Sequence, residues 1–275
     1  DDVLTEADQQ RLRELKATLD DTLDGVFCTY QLAFDADGLC TYSTPRERLI
    51  RRAAGLHWEY PVHECIAIPL GRSLDRLDIG IAHRPLETKL AAKSGRNLAI
   101  LGRAVSTPEG RVPRNLFYYA NELRDHTRWD EAVVAYQDYL PLSDVWWEKY
   151  AALLSLARCH LALEQPEPAL KYATEAMLLD PERAEAWMEL GFHYFNKGIW
   201  SQALPFFHAA STLKMPSEGF HDNAAYTWQP HDYIGVCYSH LGRYPEAVGK
   251  MLDAMASNPD KPRLLKNLHW MVDQL

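Results

Sequence analysis

The chain lacks most of the features that place a protein at a glance. Its 275 residues contain no run of about 18 apolar residues, so no segment is long enough to span a bilayer as a helix. No secretory leader is visible. The five cysteines, at 28, 40, 65, 159 and 237, include no CxxC pair, match no zinc spacing and are odd in number. A reducing, cytoplasmic compartment is the simplest expectation. Positive charge is also short: 29 Lys and Arg stand against 38 Asp and Glu, for a net charge of -9 and a pI near 5.7. A surface for nucleic acid or anionic membrane needs a basic stripe, and this balance argues against both. The chain also opens on Asp1-Asp2-Val3-Leu4 without a Met, which reads as the continuation of a longer polypeptide.

What is present is an ordinary globular balance, 47% hydrophobic and 24% charged, which excludes general disorder. The length suffices for two modest domains. In residues 1–105 strand and helix signals mix. Thr5-Glu6-Ala7-Asp8 resembles a capping box, and Leu12, Leu15 and Leu19 lay one apolar stripe on the helix that follows. Val26 to Phe34 is rich in strand formers, Asp35 to Gly38 is a turn, and Leu39 to Tyr42 can return as a second strand. Arg46 to Arg52 is a candidate third strand. Cys65 to Pro69 and Leu77 to Ala82 are two more, the latter running into His83, and Ser94 to Val105 reads as a helix.

Residues 106–275 repeat. Counting from Ala184, Trp187, Leu190, Gly191, Tyr194, Gly198, Ala203, Phe207 and Ala210 fall at positions 4, 7, 8, 11, 15, 20, 24 and 27. Small residues at 8 and 20 let two antiparallel helices approach, and large ones fill the space between them. This pattern resembles the tetratricopeptide repeat. Tyr150 starts another unit 34 residues upstream, Trp228 starts one 44 residues downstream, and a weaker one starts near Pro113. The surplus before Trp228 falls in Pro216 to Thr227 and has a loop composition. Leu264 to Val272 is expected to close the stack. First-helix positions 5, 9 and 12 put Phe117, Asn121, Met188, Phe192 and Phe195 on the concave face. Exposed aromatics there suit a protein partner, a peptide or an apolar ligand; equally, they can pack against the neighbouring domain or a second subunit.

The densest chemistry lies in His57-Trp58-Glu59-Tyr60-Pro61-Val62-His63-Glu64, which fits neither the helical nor the strand period. From the residues alone, Glu64 is a general-base candidate or the partner of Arg48 or Arg51. Trp58 is a sugar-stacking wall or a core residue. His83 is a metal ligand or a hydrogen-bonded loop residue.

The order of Asp1-Asp2, capped helix, strand pair, arginine-bearing strand, Trp58…His63-Glu64, the strand ending at His83 and then repeats resembles family 2 glycosyltransferases of the GT-A fold that carry tetratricopeptide repeats. That resemblance implies that residues 1–105 are the C-terminal portion of a GT-A α/β domain, an α+β piece followed by an all-α solenoid over 106–275. It implies a divalent metal, Mn or Mg, held by Asp1 and His83. It implies Glu64 as catalytic base, with Trp58, His63 and Arg48 binding substrate. The expected activity is sugar transfer from a nucleotide-sugar donor to a glycan or peptide acceptor, by the full-length protein rather than this part alone. The alternative is a non-catalytic adaptor whose repeats bind a protein.

Overall fold

The computed structural model describes residues 2–19, 22–34, 40–69, 71–84, 95–216, 221–258 and 262–275. The chain divides into two compact units, Asp1–Ala104 and Val105–Leu275. Each is built by a different rule.

In the first unit, β1 (Asp2–Val3) leads into α1 (Glu6–Thr18). Thr5 caps the helix: its Oγ1 accepts from the Asp8 amide at 3.1 Å and donates to the Asp8 carboxylate at 2.8 Å. The strands β2 (Gly25–Phe34), β3 (Cys40–Ile50) and β6 (Leu74–His83) join β1 in a four-stranded sheet of order β1-β6-β2-β3. The β2 and β6 strands are parallel, while β1 and β3 run antiparallel to their neighbours. The two return strands expected at Leu39 to Tyr42 and Arg46 to Arg52 are one continuous strand. Pro45 does not break it because β3 is an edge strand, where a missing amide donor costs no ladder bond. Cys28, Ile79 and Ile81 form the buried face, and Leu12 of α1 packs onto it with Leu4 and Leu77. The turn at Asp35 to Gly38, the helix end at Asp20-Asp21 and the Pro-containing loop that begins beyond Arg84 lie outside the described residues. A helix, α2 (Arg96–Val105), ends at the boundary between the units.

The second unit is a stack of helical hairpins: α3 (Pro113–Asp125) with α4 (Trp129–Tyr139), α5 (Trp146–Ala162) with α6 (Pro166–Leu179), α7 (Ala184–Phe195) with α8 (Trp200–Thr212), and α9 (Gln229–His240) with α10 (Tyr244–Ser257). At position 8 of the third hairpin, a Cβ on Gly191 would stand 2.4 Å from the Phe207 ring, so only glycine admits that ring. In the fourth, Gly235 lies against the Ala247 carbonyl, 3.2 Å from where its Cβ would be. Ala120 and Ala132, and Ala157 and Ala169, hold the same two positions in the first two and are buried. Position 15 is left-handed in all four hairpins, with φ of 58° at Thr127 and at Glu164, 72° at Gly198 and 71° at Gly242. A final helix, α11 (Pro262–Val272), buries Leu264 and Met271 against Met251 and Ala254. Arg263 pairs with the buried carboxylate of Asp232, tying α11 to α9. Among the described residues, no helix is long and apolar enough to cross a membrane.

The ten-residue surplus is more than a loop. Asn223–Tyr226 forms a 3-10 turn that packs on α7, α8 and α9, with Ala225 buried. The sequence hid this because the anchoring residue, Glu185, lies in another hairpin.

Candidate functional site

In the first unit, the stretch singled out by its composition is a tight hairpin. Two-residue strands, β4 (Trp58–Glu59) and β5 (Cys65–Ile66), pair antiparallel with Trp58 opposite Ile66. Tyr60 and His63 hold left-handed backbone at φ 69° and 53°, which explains why the run follows neither period. Val62 is buried, whereas Trp58, His63 and Glu64 are exposed, so Trp58 is not a core residue. Trp58 sits on the small sheet and His63 and Glu64 in the connection between its two strands; Asp2, Arg48 and His83 sit on the four-stranded sheet.

There a polar cluster has formed. The Tyr30 hydroxyl donates to Asp2 Oδ1 at 2.7 Å and lies 2.8 Å from His83 Nδ1, which is itself 2.9 Å from Asp2 Oδ1. The Arg48 guanidinium lies over the Tyr30 ring at 4.2 Å and donates to the Glu47 carbonyl. Arg51 donates to the Leu23 carbonyl. Burial pushes the Asp2 carboxyl up, but the bonds from Tyr30 and His83 and the Arg48 charge outweigh it, leaving Asp2 below the usual carboxylate range. Asp1 lies outside the described residues. Among those described, no group of three or more His, Cys, Asp and Glu stands close enough to hold a metal ion.

The expected concave face of the repeat unit needs correction. Phe117 and Met188 are buried, with 2% exposure each. Phe192 and Phe195 are half-buried in a ring cluster with Phe207 and Tyr233, at centroid distances of 4.7 to 6.0 Å. Asn121 Oδ1 accepts from the Tyr136 hydroxyl at 2.6 Å. The physical reason is the following hairpin. Tyr233 of α9 covers the rings of α7, so positions that would be open on a lone hairpin become interior in the stack.

The first helices instead carry a polar ladder across hairpin boundaries. Arg124 donates to Ser155 at 2.9 Å, and Arg158 pairs with Glu189 at 2.5 Å. Buried Glu185 is the hub. Its Oε2 accepts from Tyr226 at 2.7 Å and Tyr150 at 3.4 Å, and its Oε1 accepts from the Asp222 amide at 3.0 Å. The same hydroxyls accept from the first amides of α7, Tyr226 from Ala184 at 3.2 Å and Tyr150 from Ala186 at 3.0 Å. Burial and the Glu185 charge push both phenols far above the usual tyrosine range, so they remain neutral donors.

A cleft of about 600 Å³ lies where successive hairpins connect, at the start of α5, in the α6–α7 loop and after α8. Trp146 and Met215 stand exposed in it at 44% each, with Leu213 and Pro216. Arg183, buried to 2%, lies 5.4 Å from the Trp146 ring and is bonded to Asp180 at 3.1 Å. Sequence reasoning missed this cleft because Trp146 and Met215 fall between the repeat's diagnostic positions.

No protein-family model matches the chain, and no curated protein matches it. Solved structures do. The crystal structure of MamA aligns over 66% of this chain and 99% of its own, with TM-score 0.51 and 16% identity. The APC/C hetero-tetramer Cut9-Hcn1 aligns over 66% of this chain and 33% of its own, with TM-score 0.52 and 16% identity. YrrB, described as a TPR protein with an unusual peptide-binding site, aligns over 68% of this chain and 87% of its own, with TM-score 0.49 and 21% identity. At such identities the likeness is one of fold: the second unit is a tetratricopeptide-repeat solenoid, preceded by a unit with a small sheet. These neighbours overturn the expected glycosyltransferase, with its GT-A and metal-binding character, because they are repeat proteins.

Proposed function

We propose that the chain is a non-catalytic adaptor whose repeat unit holds a segment of a partner protein. The cleft beside Trp146 supports this reading. Its volume takes two or three side chains, and its exposed lining includes a tryptophan and a methionine, residue types suited to apolar anchors. Its charges leave the centre neutral: Arg183 is bonded to Asp180, and Glu182 and Lys214 contribute one charge of each sign. The occupant that fits is an uncharged, extended segment bearing a bulky apolar residue. Repeat proteins of this fold in the APC/C hetero-tetramer and in YrrB, with its peptide-binding site, are consistent with such a role.

A random peptide library displayed against the intact chain tests it. The expected consensus is a bulky apolar residue in an uncharged context. Trp146→Ala and Met215→Ser should each weaken the selected peptides about tenfold. Trp270→Ala, which removes an exposed tryptophan on α11, should leave them unchanged. If no peptide is enriched, or if the enriched ones bind Trp146→Ala as tightly as the parent, the cleft is not the binding site.

A further inference from the structure

A further polar cluster stands where the third and fourth hairpins join. His208 of α8 places its Nε2 3.0 Å from the Tyr238 hydroxyl of α9. The guanidinium of Arg243, just before α10, lies 4.2 Å from the centre of the same Tyr238 ring. His231, also on α9, has a buried Nδ1 with no hydrogen-bond partner. An Asp253 carboxylate oxygen of α10 stands 3.8 Å from it, beyond hydrogen-bonding distance. That oxygen is already held by Lys250 Nζ at 2.7 Å.

The fixed charges around these two rings are balanced. Lys250 is paired with Asp253, and Arg243 with Glu246 at 2.9 Å. Burial pushes the His208 pKa down, and the charges of Lys250 and Arg243 add to the effect. Burial, Lys250 and His208 likewise depress His231 against the pull of Asp253. Both rings are therefore neutral at pH 7. Protonating them adds two positive charges beside two cations whose carboxylates are already engaged.

We infer that this joint is a proton-sensitive switch: acid charges His208 and His231 together, and the fourth hairpin loosens from the third. The folded rings take up protons less readily than unfolded ones. The stability that their neutral forms allow is thus present above about pH 6.5, the unfolded value, and is lost as pH falls through the lower folded values. Opening uncovers apolar surface, because Tyr233 of α9 packs on the rings of Phe192, Phe195 and Phe207 at 4.7 to 5.3 Å. The inference does not depend on the cleft beside Trp146.

The test is amide hydrogen exchange of the full chain at pH 7.5 and 5.5, corrected for the intrinsic pH dependence of exchange, together with a fluorescent dye that binds exposed apolar surface. At pH 5.5 the protection of α9 and α10 should fall about tenfold, that of α5 and α6 should hold, and dye fluorescence should rise. The double variant His208→Gln, His231→Gln replaces both rings with side chains that do not titrate and should lose the acid response. His193, whose pKa burial also depresses, remains in that variant, so its titration cannot stand in for theirs. Lys250→Gln removes the cation that faces both rings and frees Asp253, and it should shrink the loss to about threefold. Should the double variant fail to fold, Lys250→Gln decides alone. Equal loss of protection in the second and fourth hairpins overturns the inference, as does an acid response that these substitutions leave unchanged. Trp146→Ala should respond to acid as the parent does, which separates the joint from the adaptor reading.

Discussion

The two units solve the same packing problem by opposite means. In the repeat unit, one rule of residue size, applied every turn, makes the core: glycine or alanine where helices touch, and Phe207, Tyr136 or Met251 where they part. In the sheet unit, the core is a short row of Cys28, Ile79 and Ile81, and a polar knot of Asp2, Tyr30 and His83 joins three strands at one end. The first design spreads stability over many equivalent contacts. The second concentrates it in a few hydrogen bonds that are individually weak and partly wet.

That contrast can be broken by substitution. Phe207→Ala empties the fully buried centre of the third hairpin and should cost about 4 kcal/mol in urea unfolding of the repeat unit. Gly191→Ala approaches the same ring from the other side and should cost about 2 kcal/mol, because the enclosed Phe207 must give way. Tyr226→Phe removes one donor to the buried Glu185 and should cost about 1 kcal/mol, with faster amide exchange at the start of α7 as its signature. Tyr30→Phe in the sheet unit should cost less still, under about 1 kcal/mol, because Asp2 is 43% exposed. Its pH dependence is distinctive. The Asp2 carboxyl is depressed in the fold, so its contribution is present above the unfolded pKa and is lost as pH falls through the folded value, below about pH 4. Thermal melts across that range should show the acid limb moving up in Tyr30→Phe. The smallest effect has the opposite sign: Thr127→Gly relieves a left-handed threonine and should stabilise by about 0.5 kcal/mol.

The sequence was readable where residue size repeats. Ala184, Gly191, Ala203 and Phe207 carry enough to place both helices of a hairpin and its neighbours, because position alone decides what each touches. The left-handed turn at position 15 is held by Gly198 and Gly242 in two hairpins, but by Thr127 and Glu164, residue types that carry no such signal, in the other two. Reading failed where a contact came from elsewhere in the chain. Phe192 and Phe195 belong to positions that a single hairpin exposes, and Tyr233, some forty residues on, covers them. Tyr226 sits in a stretch with loop composition yet anchors on Glu185. The resemblance to a sugar transferase rested on the order of residue types in the first unit. Order does not fix distance: Glu64 lies in the connection between β4 and β5, whereas His83 ends β6 of the four-stranded sheet.

Glu185 also bears on how the solenoid comes apart. An array of hairpins that touch only their neighbours unzips from either end, one hairpin at a time. Here one carboxylate receives a hydroxyl from the second hairpin, lies in the third, and receives an amide and a hydroxyl from the segment that leads into the fourth. The second and third hairpins and the segment that leads into the fourth are thereby yoked at one atom group, and the middle of the stack should open as a single cooperative block while the first hairpin frays on its own.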